Sequence, residues 1–87
     1  MATTRSPEES ATEILNIFVH TFQSRPGDVL RIDNFMTVWA RLEFVVMDFL
    51  VGLEYAMVQG WIEERPVTDS FKITDAGFER TAVRPAM

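Results

Sequence analysis

The chain contains no cysteine. That excludes disulfides, thiolate nucleophiles and cysteine-rich zinc sites, and it fits a reducing compartment. Histidine is almost as scarce: His20 is alone, so zinc finds no set of soft or imidazole ligands. No apolar run approaches the ~20 residues that a membrane-crossing helix requires. The opening "MATTRSPEES" has one arginine and no apolar stretch behind it, unlike a secretion signal. The expected location is the cytoplasm, without membrane association. Positive charge is the scarcer sign, with eight Lys and Arg against thirteen Asp and Glu, a formal net charge of −5. Duplex-binding domains draw most of their affinity from neutralising phosphates, so this balance disfavours DNA as a partner and puts weight on where the basic residues lie.

What is present is an ordinary globular composition, 47% hydrophobic and 24% charged over 87 residues. That length makes one domain with a single core and little room for a deep catalytic pocket. We expect one unit over residues 1–87, with 1–6 and 82–87 as flexible tails.

The first helix is announced by "SPEE" at 6–9: Ser6 as N-cap, Pro7 at the first helical position, Glu9 where a capping box wants an acid. Ala11, Ile14, Leu15, Phe18 and Phe22 then recur on one face at helical spacing, opposite Glu9, Thr12, Glu13, Asn16 and His20, and Ile17 falls off the apolar stripe. "SRPGD" at 24–28 ends the helix, and "VLRI" at 29–32 reads as a short edge strand. A second helix is expected from Asp33 as cap to about Leu42, burying Phe35, Val38, Trp39 and Leu42. A third is expected from about Met47 to Gln59, with a break near 43–46, because one helix from Asp33 to Gln59 would be longer than most. Its inward face is predicted to hold Val46, Phe49, Leu50, Leu53, Ala56 and Met57, with Gly60 as a left-handed stop. "WIEE", "RPVTDS" and "FKI" give strand, turn and strand, and Thr74 or Asp75 is placed to cap a last short helix through about Thr81.

The expected fold is therefore mostly helical with a small β-hairpin, an α+β domain. At this point "LVGLEYAMVQGWIEE" (50–64) and "FKITDAG" (71–77) resemble the winged helix-turn-helix transcription regulators of the MarR and PadR kind. The first stretch looks like the end of a recognition helix entering a wing, and the second like the returning wing strand and the start of the next helix. The resemblance covers about the second half of the chain and implies the order helix, short strand, helix, helix, hairpin, helix. It also implies that the outward face of the third helix enters the major groove while the wing touches phosphate.

The residues at those positions depart from that pattern. The face opposite Leu50 and Leu53 is read as Asp48, Val51, Gly52, Tyr55 and Gln59, with Met47 and Val58 at its edges. None is Lys or Arg, and only Gln59 suits base-edge recognition. Arg41, Arg65 and Lys72 complete the candidate DNA contacts, among the acids Glu63, Glu64 and Asp69. Apolar residues outside the inward faces (Ile17, Met36, Val51, Tyr55 and Val58, with Asp48 beside them) instead make candidate protein contacts, Tyr55 being the natural anchor. "GLEYAMVQG" lacks phosphate-loop spacing, and Glu8-Glu9 and Glu63-Glu64 diverge as sequence neighbours. The resulting expectation is a non-catalytic module without cofactor or small-molecule substrate, acting on itself as a homodimer or on a larger protein. The alternative is a DNA-binding regulator.

Overall fold

The computed structural model describes residues 6–65 and 69–82. The predicted turn residues 66–68 and most of the two predicted tails lie outside them. Helix α1 spans Pro7–Asn16 and continues into a π-helical turn over Ile17–Thr21. Strand β1 (Val29–Arg31), helices α2 (Ile32–Arg41) and α3 (Val46–Val58), strands β2 (Ile62–Arg65) and β3 (Ser70–Ile73), and helix α4 (Asp75–Ala82) follow. Among the described residues the strands form one antiparallel sheet in the order β1-β3-β2. The molecule is thus mostly helical with a small sheet, an α+β arrangement.

Each helix end has a local cause. Ser6 and Glu9 form the capping box in full: Glu9 N–H donates to Ser6 Oγ at 3.1 Å and Ser6 N–H donates to Glu9 Oε1 at 2.9 Å. Asp33 does not cap α2. Arg31 holds the N-cap position and Asp33 lies in the first turn, 3.8 Å from the Arg31 guanidinium, where a carboxylate suits the positive helix end.

The break between α2 and α3 is a Schellman motif. Glu43 adopts φ +60°, its N–H donates to Ala40 O, and Phe44 N–H donates to Trp39 O. The accompanying apolar contact is Phe44 against Trp39, ring centroids 5.1 Å apart, and Trp39 Nε1–H donates to Val45 O at 2.9 Å across the turn. The same motif ends α3, with Gly60 at φ +78° and Trp61 N–H donating to Ala56 O.

The core gathers the inward stripe of α1 (Ala11, Ile14, Leu15, Phe18), Phe35 and Trp39 of α2, Phe49, Leu53 and Ala56 of α3, and Ile62, Phe71 and Ile73 of the sheet. Phe35 is its aromatic centre, with Phe18, Phe49 and Phe71 at ring-centroid distances of 4.9, 6.1 and 6.2 Å. In the sheet, Ile62 pairs with Ile73 and Leu30 with Phe71, so β3 carries its apolar residues between two partners.

Three expected helix faces are corrected, the first being that of α2, where Leu42 lies past the last helical residue and is exposed. Ile17 is buried at the end of α1 and cannot serve as a surface contact, whereas Phe22 is exposed. The apolar stripe widens to take in Ser10 and Ile17, and the π turn then inserts an extra residue before Phe22, which turns it out of register. Along α3 the buried side is Asp48, Phe49, Gly52, Leu53 and Ala56, while Val46 and Leu50 face outward. The expected face was displaced by roughly three-quarters of one 100° residue step. The cause is Gly52: a Cβ there would lie 2.7 Å from Ser10 Cβ and 2.9 Å from the Ser10 carbonyl carbon, so α1 and α3 meet at a crossing only glycine permits.

Candidate functional site

The sequence of α3, "VMDFLVGLEYAMV", contains no lysine or arginine and is apolar almost all round. With Gly52 and Ala56 turned onto α1, the side chains left facing out are Val46, Met47, Leu50, Val51, Glu54 and Val58. Val58 retains 76% of its surface and Met47 63%. Glu54 is the sole charged group on that face.

Toward the C-terminal end of α3, Val51, Tyr55, Val58, Glu54 and Gln59 line a shallow depression of about 310 Å³ that Pro7 closes from the start of α1. Tyr55 is half-buried, its ring 5.7 Å from that of Trp61, which holds it against the end of the helix. The depression is open to solvent and has an apolar floor. It would leave much of a small molecule's surface uncovered.

The predicted contact residues separate accordingly. Val51, Tyr55 and Val58 come together in the depression. Met36 lies half-buried on α2 against the core, away from that group, and Ile17 is buried. Asp48 is 5% exposed in the first turn of α3 rather than on its outward face. A carboxylate is accommodated there because the start of a helix carries partial positive charge. Val46 and Leu50, expected on the inward face, were missed as surface residues, whereas Met47 was read at the edge of the outward face and is exposed. The signal that identifies them is the small pair Gly52 and Ala56, four apart, which marks the side of closest helix packing and so the opposite side as outward.

The residues considered for DNA contact are dispersed over four elements. Arg41 is exposed in the last turn of α2, Gln59 caps the end of α3, and Arg65 closes β2 opposite Ser70. Lys72 faces Glu63 across the strands, with its ammonium 3.3 Å from the carboxylate. The acids Glu63, Glu64 and Asp69 are exposed beside them.

A second depression, about 380 Å³, is lined by Glu8, Glu9, Thr12, Glu13 and Arg80. Its charges are tied into the fold, since Arg80 bonds Glu8 at 3.3 Å and lies 5.3 Å from the centre of the Trp61 ring. Among the described residues no group of three or more His, Asp or Glu is arranged to hold a metal ion, and His20 is exposed on the π turn. No helix among them is long and apolar enough to cross a membrane.

Thr74 fixes the junction behind the depression. Its hydroxyl lies 2.6 Å from Gly60 O and 2.9 Å from Trp61 O, and it accepts from Gly77 N–H at 3.1 Å, capping α4. A Cβ on Gly77 would overlap the Trp61 carbonyl, so the "TDAG" turn fits only with glycine at its fourth position. Comparisons of the chain with family models, with characterised proteins and with solved structures find no match.

Proposed function

We propose that this chain is a winged-helix module that acts through protein contacts rather than through DNA or catalysis. The element order α1-β1-α2-α3-β2-β3-α4, with β1 completing the sheet, supports the winged-helix reading. In that reading α3 is the helix a DNA-binding relative would insert into the major groove, and β2 and β3 form the wing.

The observation that carries the proposal is the outward face of α3: Met47, Leu50, Val51 and Val58 exposed, one glutamate, and no basic residue. Phosphates repel Glu54 and gain nothing from the valines, whereas a protein partner gains by covering them. The depression between Val51, Tyr55 and Val58 is the expected seat of an anchoring side chain.

Affinity capture with the intact chain as bait tests this. Tyr55→Ala and Val51→Asp are expected to lose partners that the unaltered chain retains, and unchanged capture by both variants would refute the reading. Duplex binding tests the alternative. The chain is expected to show none at low salt; binding that falls steeply with salt and depends on Arg41, Arg65 and Lys72 would establish DNA recognition instead.

A further inference from the structure

The N-terminal half of the α3 face meets the Tyr55 depression only at Val51. Leu42 and Val45, in the turn that feeds the helix, are exposed together with Val46, Met47, Leu50 and Val51. We propose that this patch is covered by a second copy of the chain, the two α3 helices lying antiparallel about a two-fold axis between Met47 and Leu50. The inference rests on the reading of α3 as a protein-contact face and goes further by assigning the occupant of one half of it.

Area and charge both favour a second copy. The six side chains expose on the order of 500 Å² of apolar surface, near the upper limit of what a monomer leaves to water. Two such patches bury about 1,000 Å² in total, at the threshold for a weak but specific interface, so the patch needs no larger partner to be covered. A two-fold interface must also be complementary to itself. This patch is, because none of its six side chains carries a charge. The one acid on the face, Glu54, decides the orientation. Parallel helices would set the two glutamates side by side. Antiparallel helices crossing between residues 47 and 50 place them about 16 Å apart along the axis, at 1.5 Å per residue and roughly two Debye lengths at physiological salt. That pairing covers Val51 at the rim of the depression and leaves Tyr55 and Val58 of each copy open for another protein.

Analytical ultracentrifugation over a concentration series tests the association, and engineered disulfides test its geometry. The mass is expected to rise from one chain toward two with a Kd on the order of tens of micromolar. Met47→Asp and Leu50→Asp are each expected to weaken the dimer at least about tenfold, while Val58→Asp changes it by less than about threefold. Met47→Asp puts an acid in the first turn of α3, where the helix dipole favours it, so loss of the dimer there cannot be ascribed to unfolding. Because the chain has no cysteine, single substitutions give unambiguous cross-links. Leu50→Cys is expected to form a disulfide-linked dimer under mild oxidation. Val58→Cys is not, since the two sites lie nearly 30 Å apart in this arrangement, far beyond the ~7 Å limit between Cα atoms.

A chain that stays monomeric up to roughly 1 mM, a dimer indifferent to Leu50→Asp, or preferential cross-linking through Val58→Cys would each overturn the proposal. A monomer whose partner capture is still lost with Tyr55→Ala would sink the dimer alone. A Leu50-dependent dimer whose capture ignores Tyr55→Ala would uphold the dimer and remove the role of the depression.

Discussion

Ser10 is fully buried where α1 crosses α3, and its Oγ has no hydrogen-bond partner among the described residues. The residue is there for its size, since its neighbour across the crossing is Gly52. A buried hydroxyl left without a partner costs stability, and alanine is also the better helix former. Ser10→Ala is expected to stabilise the fold by about 1 kcal/mol, read as a higher urea midpoint at unchanged slope. Glu43 makes the corresponding case for the backbone. A residue with a Cβ in the left-handed region is strained by about 1–2 kcal/mol, a strain glycine does not feel. After the extra chain entropy of glycine is deducted, Glu43→Gly is expected to gain about 0.5–1 kcal/mol, and Glu43→Ala nothing. Calorimetric melting of the two variants side by side checks this.

At the scale of elements, the sequence was most legible where one residue type answers one backbone need. Ser6, Pro7 and Glu9 name the start of α1, Gly60 names the end of α3, and Phe71 and Ile73 name the buried face of β3. The gap after Arg41 was legible only through length, because the left-handed residue that makes it is a glutamate. The rotation of α3 was not legible in its hydrophobic periodicity. With apolar side chains nearly all round, periodicity has no polar face to locate, and the contact of Gly52 with Ser10 fixes the rotation instead. That placed Val46 and Leu50 inside and Asp48 outside, the reverse of the structure, although Val51, Tyr55 and Val58 of the candidate site survive the change. The crossing gives its own prediction. Gly52→Ala forces the two helices apart and is expected to cost about 1–3 kcal/mol, despite the better helix propensity of alanine. A lower urea midpoint shows it, and a stabilised variant would contradict the crossing described above.

At the scale of the molecule, one aromatic cluster joins everything. Phe35 touches rings from α1, α3 and the sheet, so its removal loosens all three at once. Phe35→Ala is expected to cost about 3–5 kcal/mol. A domain of this size has roughly 5–10 kcal/mol in total, so the variant keeps at most about 7 and should melt at least about 10 °C below the parent by far-UV circular dichroism. By contrast Arg80→Ala, which loses only an exposed ion pair with Glu8 and a ring contact with Trp61, is expected to melt close to the parent.

The order β1-β3-β2 has a consequence for behaviour in concentrated solution. The most buried strand, β3, is paired on both sides, and the two strands left at the rims are poor templates. One is three residues long, and the other presents Glu63, Glu64 and Arg65 to solvent. Short or charged rims resist the edge-to-edge pairing that leads to fibres. Crowding should therefore leave strand-mediated aggregation suppressed.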